Sequence, residues 1–396
     1  MMILVLGSGG REHALCRALD NGKHTIYCAP GNAGTEAEFY NLALNPINFE
    51  ALAANCKSLE IDLVIVGPET MLEAGVVDHL TKAGITVFGP TKAAAEVESK
   101  KPFMKDICQQ EQIPTAQMIG LDAWGFDFPW VVKENGLAGG KGVYIVHSDD
   151  EYRLIRDKLK DEKKQFFVEK FLPGRELSYH VLCDGLNYVV LPVSRDYKQL
   201  YPGGPMTGGM GAISRNNLIS AKTENQIKTQ IVAPFIKGMI WRNLDYRGVL
   251  YFGLMIAEDG SPSLLEVNCR FGDPEAQAIL PRMVVDCGLA ELLMKTIHGE
   301  LNGLCIGCSR FGSAVVNVVT GEYPHPSPLP YRMITGAERY NLVHCNTIRA
   351  THGGLLTGGG RIFSAMFHGE NAVSEAYEIA SKVEFEGATF RHDIGS

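Results

Sequence analysis

No apolar run in this 396-residue chain approaches the length of a membrane span, and the opening MMILVL passes straight into glycines without a basic flank. Positive charge is not in excess either. The 37 Lys and Arg are outnumbered by 45 Asp and Glu, and the net charge of −8 argues against general affinity for nucleic acid or anionic membrane. The 10 cysteines form no framework. Cys28, Cys183 and Cys269 sit in apolar, strand-like runs, as small buried hydrophobes of a reducing compartment do. The lone Cys305–Cys308 pair lacks the second pair or nearby histidines of a zinc site, and it lacks a thioredoxin-like setting. Internal repeats and low-complexity segments are absent. These absences leave a cytoplasmic globular protein, long enough for two or three domains, whose phosphate binding must come from local arrangement.

What is present begins with a βαβ pattern. Over residues 2–90, MILVL, TIYCA, IDLVIVG and ITVFG alternate with helical stretches, one from about Arg11 and another through Leu72 to Lys82. This is the signature of a doubly wound parallel sheet. Each apolar run ends in a Gly/Pro loop (GSGGRE, APGNAG, GPE, GPT), and in such sheets ligands bind beyond the carboxyl ends of the strands. The first loop is not a dinucleotide fingerprint, because Glu12 stands where the third glycine belongs and no acidic residue follows the second strand. A free helix N-terminus beside Arg11 still suits a phosphate.

A helical stretch from Thr91, broken near Pro102, leads to FPWVVKENGLAGGKGVYIV, two apolar runs around a glycine-rich loop. Lys133 precedes that loop and Lys141 lies inside it. The spacing is not Walker A, yet the N–H groups of such a loop suit a triphosphate. Two further strands start at Phe166 and Glu176. YPGGPMTGGMGA (201–212) reads as a mobile loop able to close over a substrate, and a helix is expected over about Thr223 to Trp241 despite Pro234. A hairpin turning at Asp259–Gly260 then delivers LLEVNCRFGDPEAQ.

That last stretch carries the chemistry. Read as a strand, it puts Leu265, Val267, Cys269 and Phe271 on one face and Glu266, Asn268 and Arg270 on the other. A carboxylate and an amide carbonyl two residues apart are hard oxygen donors of the kind Mg²⁺ takes, and Arg270 can grip a phosphate or carboxylate. A half-buried strand with a solvated face reads the same way in isolation. After Pro274 come two helical stretches, the strand SAVVNVV and a helix over about Asn371 to Val383.

Together GSGGREHAL, PGNAGT, DLVIVGPE, GLAGGKGV, TGGMGA, LLEVNCRFGDPEAQ and RHDIG make the chain resemble, over nearly its whole length, the glycinamide ribonucleotide synthetase (phosphoribosylamine–glycine ligase) family of ATP-grasp ligases. The resemblance implies an α/β and α+β multidomain architecture. A Rossmann-like domain would span residues 1–100, an ATP-grasp domain 101–300 with a lid at about 115–190, and a small C-terminal domain 301–396. It implies joining of glycine to 5-phosphoribosylamine at the expense of ATP, with Mg²⁺ or Mn²⁺, in a monomer or homodimer. Lys101, Lys133, Gly139, Gly140, Glu169, Phe171, Leu172 and Glu176 would hold the nucleotide, and Glu266 and Asn268 the metal. Arg270, Asp273 and Lys141 would serve the reacting centre. Gly9, Gly10, Arg11, Glu12, Asn32, Pro68, Glu69, Gly208, Gly209, Met210, Gly211 and Gly272 would surround the other substrates.

The chain departs from the family pattern at YPGGPM, where Met206 replaces an expected Asn and an expected Asp is missing. It departs again in VVTGEYP, in HCNT at His344, and in a shortened C-terminal middle. These departures cluster on the amine side, so the alternative expectation is a diverged ATP-grasp paralogue joining another acid or amine.

Overall fold

The computed structural model describes residues 1–120, 127–137, 142–325, 331–337 and 342–396. Met2–Gly7, Thr25–Pro30, Tyr40–Asn41, Leu63–Val66 and Val87–Phe88 form one five-stranded sheet, every pair parallel. Its spatial order is third, second, first, fourth, fifth. The chain therefore winds to one side of Met2–Gly7 and then to the other, and its crevice opens where Gly7 and Gly67 leave adjacent strands. Ile3 to Leu6 and Leu63 to Ile65 are buried on both faces, which is why these strands read as continuous apolar runs rather than alternating ones.

Three expected helices are divided, each for a local reason. The stretch through Leu72 to Lys82 is two helices, Glu69–Ala74 and Val76–Lys82, hinged at Gly75 with a left-handed φ of 92°. The stretch from Thr91 breaks at Lys100 rather than Pro102, and Pro102 sits in the first turn of Lys101–Gln110, where a missing N–H costs nothing. Ahead of Pro234 the helix Ala221–Gln226 widens into a π segment, Ile227–Val232, before Ala233–Trp241. The wider turn leaves room for a proline ring that would clash with the carbonyl four residues back in a regular helix.

Met118–Ile119, Phe166–Lys170, Trp130–Glu134 and Val143–Val146 form an antiparallel four-stranded sheet in that order. Trp130, Val132, Val168, Tyr152 and Leu159 supply its own small core beneath helix Asp149–Asp161. The tip of the glycine-rich loop, residues 138–141, lies outside the described residues.

A ten-stranded sheet forms the body. Pro262–Asn268, Arg247–Ile256, Arg175–Asp184, Ser194–Asp196 and Gly211–Ser214 run side by side, followed by Gly312–Thr320, Arg361–Gly369 and Val343–His344. Tyr188–Val190 and Ala388–Thr389 pair beside this path. Gly211–Ser214 pairs directly with Gly312–Thr320, so the C-terminal strands extend the central sheet without a gap.

The segment 201–212, expected to be a mobile loop, is tied to the body over its second part. Residues 201–204 are an exposed turn, whereas Thr207 is buried and bonded through N and Oγ1 to the Lys198 carbonyl at 2.8 and 2.7 Å. Gly211 already belongs to the sheet. Among the described residues, no helix is long and apolar enough to cross a membrane.

Candidate active site

A cleft of about 780 Å³ lies where the two larger sheets and the four-stranded sheet meet. Arg11 and Glu69 reach it from the parallel sheet; Lys101, Lys133, Glu169, Phe171 and Leu172 line one end. Glu176, Asp196, Lys198, Glu266, Asn268 and Arg270 line its floor, and Gly208, Asp273 and Arg361 its far wall.

The first end is built from buried charge pairs. Glu169, on the strand Phe166–Lys170, is 1% exposed and receives the Lys133 ammonium on Oε1 and the Lys105 ammonium on Oε2 at 2.7 Å. Lys133 also donates to the Leu265 carbonyl at 3.2 Å, and Lys101 to the Gly136 carbonyl at 2.6 Å. Burial lowers the pKa of both Lys101 and Lys105. An arriving polyphosphate would supply the negative charge that favours their ammonium forms.

The acid-bearing strand is shorter and less regular than its sequence suggests. It ends at Asn268, and Gly253 pairs with Glu266 while Leu254 pairs with Leu264, leaving Leu265 as a bulge. The bulge shifts the alternation: Leu264 and Val267 are buried, and Leu265 joins Glu266 and Asn268 on the cleft. Cys269 and Phe271 remain buried, and Arg270 remains on the cleft. Glu266 has room because its neighbour is Gly253, where a Cβ would stand 2.8 Å from Glu266 Cγ.

Lys198 Nζ stands 3.1 Å from Glu266 Oε1 and 3.7 Å from both Glu176 and Asp196. The Lys198 ammonium, against the cost of burial, holds Glu266 at a pKa of about 2. Burial raises Asp196 to about 6 and raises Glu176. Glu266 is thus a fixed anion, and the Asn268 side chain lies within 3.5 Å of it, so the pair is a donor set suited to a hard cation. Among the described residues, no three His, Cys, Asp or Glu groups gather as a metal site.

Beyond Asn268 the charges alternate. Arg270 meets Glu69 at 3.1 Å and Glu98 at 3.0 Å, and Arg11 lies 3.8 Å from Glu69. Although burial opposes ionisation, Arg270 and Arg11 bring Glu69 to about 2, whereas burial prevails at Glu98 and raises it. Asp273 accepts from Gln277 at 2.7 Å and from Arg361 at 2.9 Å.

Several residues expected around the substrates also make contacts that hold the scaffold beside the cleft. Glu12 accepts from Gly9 N at 2.7 Å and Arg11 Nε at 2.6 Å, closing the helix start. Asn32 caps the helix Ala33–Glu38, and its Nδ2 donates to the Ser8 and His344 carbonyls. Gly10 packs on Gln277 and Cys345, and Pro68 caps Glu69–Ala74. Met210 packs on Val319 and Tyr323; Gly209 lies against Pro274, Gly211 against Val315 and Ile394, and Gly272 against Glu275. Gly139, Gly140 and Lys141 lie outside the described residues. Sequence reasoning missed Lys198, Asp196, Glu98 and Arg361, all of which line the cleft. Asp196 and Lys198 carried a faint signal, a charged pair at strand spacing just before the glycine-rich segment.

Three family models match in succession: the phosphoribosylglycinamide synthetase N domain over residues 1–98, its ATP-grasp (A) domain over 99–276 and its C domain over 313–396. The chain belongs to the phosphoribosylglycinamide synthetase family. Phosphoribosylamine–glycine ligase of Ralstonia nicotianae is 37% identical over 421 residues, covering 100% of this chain and 99% of that protein. The Vibrio vulnificus protein of the same name is 38% identical over 426 residues, covering 100% and 98%. The crystal structure of the Thermotoga maritima phosphoribosylamine–glycine ligase superimposes with a TM-score of 0.84 at 30% identity, both chains covered in full. The biotin carboxylase domain of Hydrogenobacter thermophilus 2-oxoglutarate carboxylase shares the fold, with a TM-score of 0.72 at 14% identity over 98% of this chain and 91% of that one.

Proposed function

We propose that this protein is an ATP-dependent phosphoribosylamine–glycine ligase of purine biosynthesis, forming glycinamide ribonucleotide, ADP and phosphate. The observation that carries the reading is the nearness of Lys133 and Glu266 across the bulged Leu265, a cation suited to phosphate beside a fixed anion suited to a metal ion in one cleft. Full-length similarity to ligases of that name supports this substrate pair over a diverged paralogue.

In this reading Lys101 and Lys133 hold the ATP phosphates. Glu169, Phe171 and Leu172 face the adenine, and Glu176 the ribose. Glu266 and Asn268 hold Mg²⁺ or Mn²⁺, which neutralises phosphate charge when bound. A carboxylate is a poor electrophile, so a glycine carboxylate oxygen attacks the γ-phosphorus and ADP leaves. Arg270 faces the negative charge shared by that carboxylate and the transferring phosphoryl group. The amine of phosphoribosylamine then attacks the carbonyl carbon, loses a proton and expels phosphate. Arg11 lies on the parallel-sheet side, suited to the ribose phosphate. We assign residues 1–100, 101–300 and 301–396 to the three domains, with a lid at about 115–190.

Phosphate release from ATP and Mg²⁺ should require both glycine and phosphoribosylamine generated in situ. Turnover only with a different acid–amine pair would replace this reading with the paralogue.

A further inference from the structure

The far wall of the cleft is completed by one side chain from the C-terminal strand Arg361–Gly369. In its pairing with Gly312–Thr320, Val318 faces Phe363 and Val319 faces Arg361, so Ile362 is an extra residue. Such a bulge re-aims the side chain next to it. The Ile362 carbonyl accepts the backbone N–H groups of Cys345 at 2.9 Å and Asn346 at 3.3 Å. Asn346 Nδ2 clasps the preceding turn at the Gly358 and Gly359 carbonyls, at 3.0 and 2.8 Å. Cys345 and Asn346 are the two residues by which HCNT departs from the family pattern. They hold the bulge in place.

Aimed this way, Arg361 Nη1 donates to the Gly208 carbonyl at 2.7 Å and to the Asp273 carbonyl at 2.8 Å, while Nη2 meets Asp273 Oδ2 at 2.9 Å. One guanidinium thus ties the glycine-rich segment to the loop that follows the metal strand. Tyr323 fastens the same segment from behind, its hydroxyl accepting from Gly208 N at 2.9 Å. None of these groups is a partner of Lys101, Lys133 or Glu169.

We propose that Arg361 is the positioning residue of the acid–amine end of the site: it orients the Asp273 carboxylate and the Gly208 peptide against the substrate, without touching the nucleotide. This rests on the ligase reading for the identity of the substrates. Lysine cannot replace it, because a single ammonium lacks the fork that spans two carbonyls and a carboxylate.

The test is steady-state kinetics of Arg361→Lys and Arg361→Gln with melting curves, plus a double-mutant cycle with Asp273→Asn. Both Arg361 variants should lose about tenfold or more in kcat/KM for glycine, with KM for ATP within about twofold of wild type. Arg361→Gln combined with Asp273→Asn should be no worse than the poorer single variant. Equal damage to KM for ATP, additive losses, or unchanged kinetics would each overturn the assignment. A crystal structure of Arg361→Gln supplies a readout independent of turnover. Gly208 and the Asp273 carboxylate should shift, and an unmoved pair would also overturn it. Wild-type silence with glycine and phosphoribosylamine would instead reject the substrate reading, leaving the crystallographic result to decide Arg361.

Discussion

The two ends of the cleft combine the same two kinds of bond in different proportions. At the end lined by Lys101, Lys133 and Glu169, pairs of side-chain charges predominate, as where Lys105 and Lys133 meet Glu169 and Lys198 meets Glu266, although Lys101 and Lys133 also reach carbonyls. At the far wall, side chains grip main-chain carbonyls: Arg361 holds Gly208 and Asp273, and Asn317 donates to the Gly209 carbonyl at 2.9 Å. The first kind of end tunes ionisation. The second sets the shape of a backbone wall, which is what selection among small acids and amines requires.

The largest break in this contrast should come from Glu266→Gln. It removes the fixed anion of the acid-bearing strand while keeping its volume; turnover should fall about 10³-fold, and the melting temperature should also fall because Lys198 loses its ionised partner. Phosphate release and calorimetry together check both halves; near-normal turnover would dissolve the distinction between the two ends. Lys133→Met should cost less in rate but more in fold. It leaves the buried Glu169 with Lys105 alone, so stability should drop by about 3 kcal/mol and KM for ATP should rise. Denaturant titration that found no loss would mean Glu169 does not depend on Lys133.

Gly253→Ala tests the space beneath Glu266. A Cβ there meets Glu266 Cγ at 2.8 Å, and displacement of the carboxylate should reduce activity about tenfold. Added Mn²⁺ should recover part of it, and a crystal structure with Glu266 unmoved would refute the packing argument.

The smallest effect concerns pH. Burial, with His13 and Arg17 nearby, lowers His344 to about 3, and burial followed by Arg270 lowers His180 to about 3. Both histidines stay neutral in the fold but bind protons when unfolded below about pH 6.5, so stability falls as pH drops from there towards 3. Glu69 and Glu266, depressed to about 2, add a loss from about pH 4.5 downward. These two sets act in the same direction, opposed by Asp196, raised to about 6, and by the raised Glu98 and Glu176. Melting temperature followed between pH 7 and 4 should decline, and His344→Gln should flatten that decline; an unchanged slope would remove His344 from the account.

The same contrast explains what could be read beforehand. Parallel strands such as Leu63–Val66 and the acid face of Glu266, Asn268 and Arg270 were legible because residue type and periodicity specify them directly. Leu265 was assigned to the wrong face because a bulge depends on the partner strand, where Gly253 and Leu254 fix the register. The π segment before Pro234 was missed for a related reason, since a proline in a helical stretch signals strain without saying how it is relieved. Arg361 was invisible. Its partners are carbonyl groups far away in sequence, and main-chain carbonyls carry no residue-specific signature. Asn32 was legible as a residue type but not by its contacts, a helix cap and bonds to the Ser8 and His344 carbonyls, which are distant in sequence or depend on the fold.

The direct pairing of Gly211–Ser214 with Gly312–Thr320 has a consequence for any shortened form of the protein. A polypeptide ending near residue 300 would retain the nucleotide end almost whole, yet its central sheet would stop at a buried, apolar strand with unmet N–H and C=O groups. Such a rim recruits strands from other molecules. Proteolytic fragments or interrupted translation products would therefore tend to self-associate through that rim, and the C-terminal quarter acts as the cap on that edge of the sheet.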